Sequence, residues 1–225
     1  LYSTPIDGSA SAVELNGTPS GSLPDDGPPV AISGDGRQVV FVAWQERMFL
    51  LQLYRVPIDG SAAPIQVNPP LALGPIPGDV LSFQSSPDSR QVVYTADQET
   101  DGRADLYSVP SDGSAPAVKL NALLVRLPTA GMVREFAITS DSARVLYLED
   151  LQGPLALWSA RIDGAGHSRK LSGSELRVAA FQISPDGSRA VYRATQDPSS
   201  PYELYIVPSD GSAAARKLSG PLVTG

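Results

Sequence analysis

The chain has 225 residues, contains no cysteine and carries a formal net charge of −7. The absence of cysteine excludes disulfides, thiolate metal sites and a cysteine nucleophile. The acidic balance and the lack of a basic stripe argue against a nucleic-acid partner. No apolar run approaches the roughly 18 residues that a membrane helix needs, so membrane insertion is not expected.

One phrase, Leu-Tyr or Leu-Trp followed by an Asp-Gly pair, recurs five times, beginning at Leu1, Leu53, Leu106, Leu157 and Leu204. A period of about 50 residues marks a supersecondary unit that must stack on its neighbours to bury its apolar faces. Each phrase predicts a strand that ends in a tight turn, because Asp-Gly favours hairpins. A short strand of mixed polarity follows each turn and suits an exposed sheet edge.

A second phrase occurs four times and begins near Val30, Phe83, Phe136 and Phe181. An Asp-Gly or Asp-Ser pair in its middle predicts a strand, a tight turn and another strand. The second of these strands has consecutive apolar residues, as in Val92-Val93-Tyr94 and Ala190-Val191-Tyr192. Unbroken apolar runs predict strands that are covered on both faces, as in stacked sheets.

Four strands per repeat of this length predict an all-β fold, a β-propeller of four-stranded antiparallel blades. We expect a single domain over residues 1–225, with eighteen strands arranged as one half-blade and four complete blades. The half-blade covers 1–17, and the blades cover about 30–68, 80–121, 133–172 and 178–219. The half-blade has three interpretations: a fragment of a larger propeller, a five-bladed ring completed by another copy, or irregular closure. We favour the first two, because an open sheet edge is a template for pairing.

The phrases Phe-x-Ile-Ser-Pro-Asp-Gly-Ser-Arg at Phe181 and Leu-Tyr-x-Val-Pro-x-Asp-Gly-Ser at Leu204 resemble the TolB-like propeller repeat, a relative of the WD-repeat class. The resemblance extends over essentially the whole chain. It implies an exported bacterial module, periplasmic or extracellular, that binds or organises other proteins. We therefore expect a non-enzymatic scaffold whose partner is another protein or a further copy of itself. The alternatives are an accessory propeller of a larger exported hydrolase or peptidase, and a lectin-like carbohydrate-binding propeller.

The sharpest chemical motif is an acidic hairpin loop in the second blade, with carboxylates at Asp97, Glu99, Asp101 and Asp105. Oxygen ligands at alternate positions, with a glycine at the bend, suit a hard cation such as Ca²⁺. The loop resembles the calcium-binding hairpins of integrin-type propellers. The competing interpretation is a solvated acidic hairpin, because the bidentate glutamate and the helices of an EF-hand are missing. No other cofactor is expected.

No catalytic residue is predicted. The single histidine, His167, lies in a hairpin loop where exposure is expected, and most aspartates occupy Asp-Gly turns that explain them structurally. The pair Glu149-Asp150 is interpreted as part of a solvated loop. One apolar stretch replaces the polar loop of the other blades and is a candidate partner surface. Its members are Trp44, Met48, Phe49 and Leu50.

Overall fold

The computed structural model describes residues 1–16, 30–44, 50–71, 78–100, 102–121, 131–150, 154–173 and 176–220. Within these ranges the chain forms eighteen β-strands and no helix, which confirms the predicted all-β class. Accordingly, the described ranges contain no helix long and apolar enough to span a membrane.

The strands form one two-stranded sheet and four four-stranded antiparallel sheets, as predicted for a half-blade and four blades. Within each sheet, spatial order follows chain order, so every connection is a hairpin between neighbours. The half-blade is β1 (Tyr2–Ser3) and β2 (Val13–Glu14). Blade one is β3 (Val30–Ile32), β4 (Gln38–Ala43), β5 (Gln52–Pro57) and β6 (Ile65–Gln66); blade two is β7 (Val80–Ser85), β8 (Gln91–Ala96), β9 (Asp105–Pro110) and β10 (Val118–Lys119). Blade three is β11 (Val133–Ile138), β12 (Arg144–Glu149), β13 (Ala156–Arg161) and β14 (Arg169–Lys170); blade four is β15 (Arg177–Ile183), β16 (Arg189–Thr195), β17 (Glu203–Pro208) and β18 (Arg216–Lys217).

The turn between the first and second strands is built in the same way in all four blades. In blade four the Ser184 hydroxyl donates to Asp186 Oδ1 at 2.6 Å, and the Ser188 N–H donates to the same oxygen at 3.0 Å. The Arg189 N–H donates to Ser184 Oγ at 3.0 Å, which closes the turn. Gly187 takes the left-handed backbone conformation that the turn requires, with φ at 74°. The predicted Asp turns therefore form through side chain to backbone bonds.

The second recurring turn joins the third and fourth strands. In blade one the Gly60 N–H donates to the Pro57 carbonyl at 3.0 Å, and the Ser61 N–H donates to Asp59 Oδ1 at 3.0 Å. The same arrangement recurs at Asp112 in blade two and at Asp210 in blade four. Each Leu-Tyr phrase therefore ends in the hairpin that its Asp-Gly pair predicts.

The chain divides into two compact units, Leu1–Val118 and Lys119–Gly225. In the first unit, one apolar cluster joins blades one and two, and a second joins the half-blade to blade one. In the second unit, one cluster joins blades three and four through residues such as Leu157 and Tyr192. Each of these three clusters lies between neighbouring sheets, so these blades are stabilised by stacking.

Blade four departs from the prediction that every second strand is covered on both faces. Beyond their first residues, β4, β8 and β12 are buried throughout. In β16, Ala190 and Tyr192 are buried, whereas Val191 is half-buried and Arg193 is exposed. The prediction from the run Ala190-Val191-Tyr192 is therefore wrong for this strand, because no described segment covers its second face.

Candidate functional site

The most distinctive surface of the second unit is one face of blade four. Arg193 pairs with Leu204 across β16 and β17, and the Leu218 N–H donates to the Leu204 carbonyl at 2.7 Å. Alternation along a strand places Val191 on the same side as Arg193. We call these four residues, Val191, Arg193, Leu204 and Leu218, the blade-four face.

Because the blades repeat, the exposure of this face can be compared with that of equivalent positions in the other blades. Leu204 is 46 % exposed, whereas the leucine at the equivalent position is 0 % exposed in each of the other blades, at Leu53, Leu106 and Leu157. Leu218 is also exposed, while its equivalents are buried at Leu15, Val67, Leu120 and Leu171. The blade-four face therefore has core residues at its third and fourth strands without the cover that core residues have elsewhere.

A shallow groove of about 490 Å³ runs over this face and is bordered by Glu135 of β11. Arg193 also lines it, and its guanidinium lies over the Tyr202 ring, 4.8 Å from the centroid. Its other lining residues are Ala180, Phe181, Gln182, Val191, Tyr192 and Leu204. The groove is apolar with charged residues at its margin, which is a composition suited to protein contact.

The half-blade in the first unit has an uncovered face of its own. Tyr2 is 67 % exposed, whereas the equivalent Tyr54 of blade one is 3 % exposed. Thr4 and Ile6 are also exposed, and they correspond to buried Val56 and half-buried Ile58. We call Tyr2, Thr4 and Ile6 the half-blade face.

The predicted calcium loop has its described carboxylates turned toward different partners. Asp97 Oδ1 accepts the Asp79 N–H, and its Oδ2 accepts the Gly102 N–H at 3.1 Å. Asp105 is buried and forms an ion pair with Arg103 at 3.1 Å. Within the described ranges, no group of three or more His, Asp or Glu side chains is gathered so as to hold a metal ion. Asp101 lies outside those ranges, so calcium binding stays a prediction.

The electrostatics of this loop reflect burial and crowding. Burial raises the pKa of the Asp79 carboxyl, and the neighbouring Asp97 charge raises it further, against a bond from the Leu51 N–H. Burial also raises the pKa of the Tyr107 phenol, and the charges of Asp105 and Glu99 add to that effect. The carboxylates of this loop therefore act electrostatically on the Tyr107 phenol of blade two.

In contrast to Asp79, the aspartates of the turns have lowered pKa values. The Ser184 hydroxyl and the Ser188 backbone lower the pKa of Asp186 to about 2. The Arg161 guanidinium and the Ala165 N–H lower that of Asp163 to about 2. These carboxylates are held ionised by the turns they build, which makes them poor general acids. His167 is exposed, as predicted.

The predicted apolar partner stretch is only partly within the described residues. Trp44 is half-buried at the end of blade one. Leu50 is 6 % exposed and packs in the core between blades one and two, so it is not available to a partner. Met48 and Phe49 lie outside the described ranges.

Sequence analysis missed a recurring side chain that follows the fourth strand. Its oxygen accepts the N–H of the repeat leucine: Leu53 donates to Asn68 Oδ1 at 2.8 Å, and Leu157 donates to Ser172 Oγ at 3.2 Å. The sequence signal was available, since Asn or Ser follows the Leu or Val at this point in every repeat.

The interpretation of Glu149-Asp150 as a solvated loop is wrong for Glu149. Glu149 is the last residue of β12 and is fully buried, where it accepts a bond from Asn121 Nδ2 at 2.9 Å. Asp150 follows the strand, accepts the Met132 N–H at 2.8 Å and forms an ion pair with Arg134 at 2.9 Å. Both carboxylates fix the end of blade three.

Comparisons with known proteins identify the fold through solved structures and not through sequence. No protein-family model matches the sequence. No curated protein matches it either. Among solved structures, the chain is similar to a putative TolB from Agrobacterium tumefaciens, at 19 % identity and a TM-score of 0.53 over 86 % of this chain and 62 % of that one.

Two hydrolases are also similar in structure. A puromycin hydrolase matches at 22 % identity and a TM-score of 0.56, over 85 % of this chain and 28 % of that one. A prolyl endopeptidase matches at 11 % identity and a TM-score of 0.57, over 85 % of this chain and 26 % of that one. The chain thus spans less than two thirds of each of these proteins. At such identities the likeness concerns the fold, and the chain has a TolB-like β-propeller fold.

Proposed function

We propose that this chain is a non-enzymatic β-propeller module that mediates protein–protein interaction. The observation that carries the proposal is Leu204, 46 % exposed where three equivalent leucines are 0 % exposed. Apolar area removed from water stabilises a contact by about 25 cal/mol per Å². A protein partner that covers the blade-four face would restore the environment that this position has in the other blades.

The arrangement of the polar groups supports a module without catalysis. The turn aspartates accept backbone N–H groups, as Asp186 does from Ser188 at 3.0 Å. His167 is exposed in its hairpin loop, whereas a catalytic triad needs a histidine that is held in place beside its nucleophile. Several acidic side chains that the structure describes serve turns, strand ends and ion pairs, as Asp186, Glu149 and Glu203 do.

A second candidate function is that of an accessory propeller in a larger exported hydrolase. It is favoured by the structural likeness to a puromycin hydrolase and a prolyl endopeptidase, in which the match covers 28 % and 26 % of the other chain. In that case the partner of the propeller is a hydrolase domain. A location in the periplasm or outside the bacterial cell stays a prediction in either case.

Site-specific photocrosslinking tests the proposal. Benzoylphenylalanine in place of Leu204 is expected to crosslink a defined protein in cells, and excess unmodified chain is expected to compete that product away. Leu81, an exposed leucine on β7, provides the matched control position. A product at Leu204 that does not compete, or equal products at both positions, would contradict a specific interaction surface.

The accessory-propeller function predicts a different crosslinked protein at position 204 from the scaffold function. Mass spectrometry of that protein distinguishes the two functions: a hydrolase domain supports the accessory role, and any other single protein supports the scaffold role. Hydrolysis of peptide or ester substrates by the purified chain itself would overturn the non-enzymatic assignment.

A further inference from the structure

We infer that a polar groove between blades three and four binds a small neutral carbohydrate. The groove has a volume of about 440 Å³, which is within the range of small-molecule sites. Its walls are a turn of blade three, around Asp141 and Arg144, and two turns of blade four, around Gly187 and Asp210. Both blades belong to the second unit. This groove shares no lining residue with the groove over the blade-four face, so the inference is separate from the proposed function.

The equivalent place between blades one and two is bridged by the protein's own side chains. The Asp35 N–H donates to Ser89 Oγ at 2.9 Å, and the Ser111 hydroxyl donates to the Ser89 carbonyl at 2.5 Å. Arg55 Nη2 donates to the Asp112 carbonyl at 2.9 Å. One hydroxyl group and one guanidinium therefore connect these two blades.

Blades three and four lack both of these bridging side chains. Gly187 stands where Ser89 stands in blade two, and Ser159 stands where Arg55 stands in blade one. The turn keeps its shape, because Ser89 and Gly187 both take the left-handed conformation, with φ at 63° and 74°. The Asp141 N–H therefore has no serine hydroxyl at this place to donate to, and two small residues leave the groove open.

A buried polar group in the groove also lacks a partner. Ser209 lines the groove and is 3 % exposed, and its hydroxyl has no hydrogen-bond partner among the described residues. The equivalent Ser111 has the Ser89 carbonyl as its acceptor. A buried hydroxyl that forms no hydrogen bond is destabilising, so a ligand hydroxyl that bonds to Ser209 gains stability from it.

The lining favours a neutral ligand with several hydroxyl groups. Two arginines and two aspartates line the groove, so their formal charges cancel and neither an anion nor a cation is preferred. Arg144 donates through Nη1 to Ser159 Oγ at 3.2 Å and has further N–H groups to donate. Asp210 Oδ1 accepts the Ser212 N–H at 2.9 Å, and a carboxylate can accept several bonds.

A carbohydrate matches this set of donors and acceptors. One sugar hydroxyl at the place of the missing serine hydroxyl would accept the Asp141 N–H and bond to Ser209. Each further hydroxyl both donates and accepts, so it can bond to Arg144 or Asp210, and hydrogen bonds to charged groups are the strong ones. The site thus forms where the repeat departs from its own pattern.

Amide NMR titration tests the inference, because the repeat supplies an internal reference. The probes are glucose, galactose, mannose and N-acetylglucosamine, each added to the unmodified chain at millimolar concentration. We expect saturable shifts with at least one sugar at amides of the groove and none at the equivalent amides of blades one and two. The groove amides are those of Asp141, Ser188 and Asp210, and the reference amides are those of Asp35, Arg90 and Asp112.

The charged controls are inorganic phosphate and methylammonium. Larger shifts at the groove amides with either ion than with every sugar overturn the neutral ligand. Equal shifts at the groove and reference amides, or no saturable shift with any of the four sugars, overturn the site itself.

A double variant closes the groove. Ser140→Gly combined with Gly187→Ser reproduces the Gly34 and Ser89 pair of the first unit. Ser140→Gly also removes the Oγ that an added Cβ at Gly187 would approach to 3.1 Å. This variant should fold, because Ser89 holds a serine in the same left-handed conformation, and it should lose the sugar-induced shifts. A folded double variant that keeps the shifts overturns the inference.

A second variant tests the buried hydroxyl without closing the groove. Ser209→Ala should weaken sugar binding about tenfold, because one hydrogen bond to the ligand is lost. It should leave the melting temperature of the free chain unchanged or higher, since the removed hydroxyl has no partner there. Its matched control, Ser111→Ala, should lower the melting temperature and keep sugar binding. A Ser209→Ala chain that binds sugar like wild type overturns the inference.

Discussion

Blades three and four have the same third-strand phrase in different surroundings. In blade three, Leu157 is 0 % exposed and packs in the cluster that joins the two blades. In blade four, Leu204 has the same place in the strand and is 46 % exposed. Both strands form the same ladder and the same turn. The repeat therefore determines local structure, whereas a neighbouring sheet determines which of its residues become core.

The largest expected difference comes from truncating the two leucines. Leu157→Ala should lower the free energy of unfolding by about 2–5 kcal/mol, because it leaves a cavity in packed surroundings. Leu204→Ala should lower it by less than about 1 kcal/mol in the monomer, because its side chain already contacts water. Urea unfolding of both variants at low protein concentration measures this. Equal losses would mean that blade four is covered in solution.

The next effect tests the turns, which we expect to be alike in both blades. Gly187 of blade four has a φ of 74°, and the equivalent Ser142 of blade three has a φ of 59°. Gly187→Ala should cost about 1–2 kcal/mol for the left-handed conformation, with an added Cβ only 3.1 Å from Ser140 Oγ. Ser142→Gly should be neutral or stabilising. Thermal unfolding compares them, and a neutral Gly187→Ala would contradict the described turn.

A smaller effect is expected in how the stability of the fold depends on pH in the acid range. The Ser184 and Thr139 hydroxyls lower the pKa values of Asp186, to about 2, and Asp141. Because these folded pKa values lie below the unfolded value of about 3.9, their stabilisation is present above about pH 4 and is lost as pH falls toward 2. Asp186→Asn and Asp141→Asn should therefore be less stable than wild type at neutral pH.

For both variants, this difference in stability from wild type should shrink as the pH falls below about 4. Melting temperatures between neutral pH and about pH 2 measure it. A difference that stays constant over this range would mean that neither carboxylate is held ionised by its turn.

The smallest expected effect is that of calcium on blade two. Asp97 and Asp105 would have to give up bonds to Gly102 and Arg103 before they could bind a cation. We therefore expect excess Ca²⁺ to raise the melting temperature only slightly relative to chelator. A site saturated 100-fold above its Kd would add about 2.7 kcal/mol. A rise in melting temperature that corresponds to this stabilisation, and that Asp97→Asn abolishes, would establish the calcium site.

The sequence predicts most of the fold because its determinants are local. Asp-Gly pairs give the hairpins at Gly60 and Gly187, and the count of phrases gives four blades and a half. The exposure of Val191 could not be predicted in this way. Burial depends on a neighbouring sheet, and the residues Ala190-Val191-Tyr192 are patterned as if that neighbour were present.

The candidate surfaces were harder to predict than the fold. The apolar neighbours of Leu50 in the sequence predict a partner surface, yet the same apolar character places Leu50 in the core. In the sequence, Leu204 is one copy of a repeated phrase, and the phrase does not reveal that no neighbouring sheet buries this copy. Glu149 shows the reverse error, since a charged pair suggests solvent while Asn121 stabilises it inside.

Photocrosslinking at position 204 tests the central claim most directly. The account predicts one defined protein product at Leu204 that excess unmodified chain competes away, and much less product at Leu81, an exposed leucine on β7. Equal products at both positions, or a product at Leu204 that does not compete, would contradict a specific interaction surface on blade four.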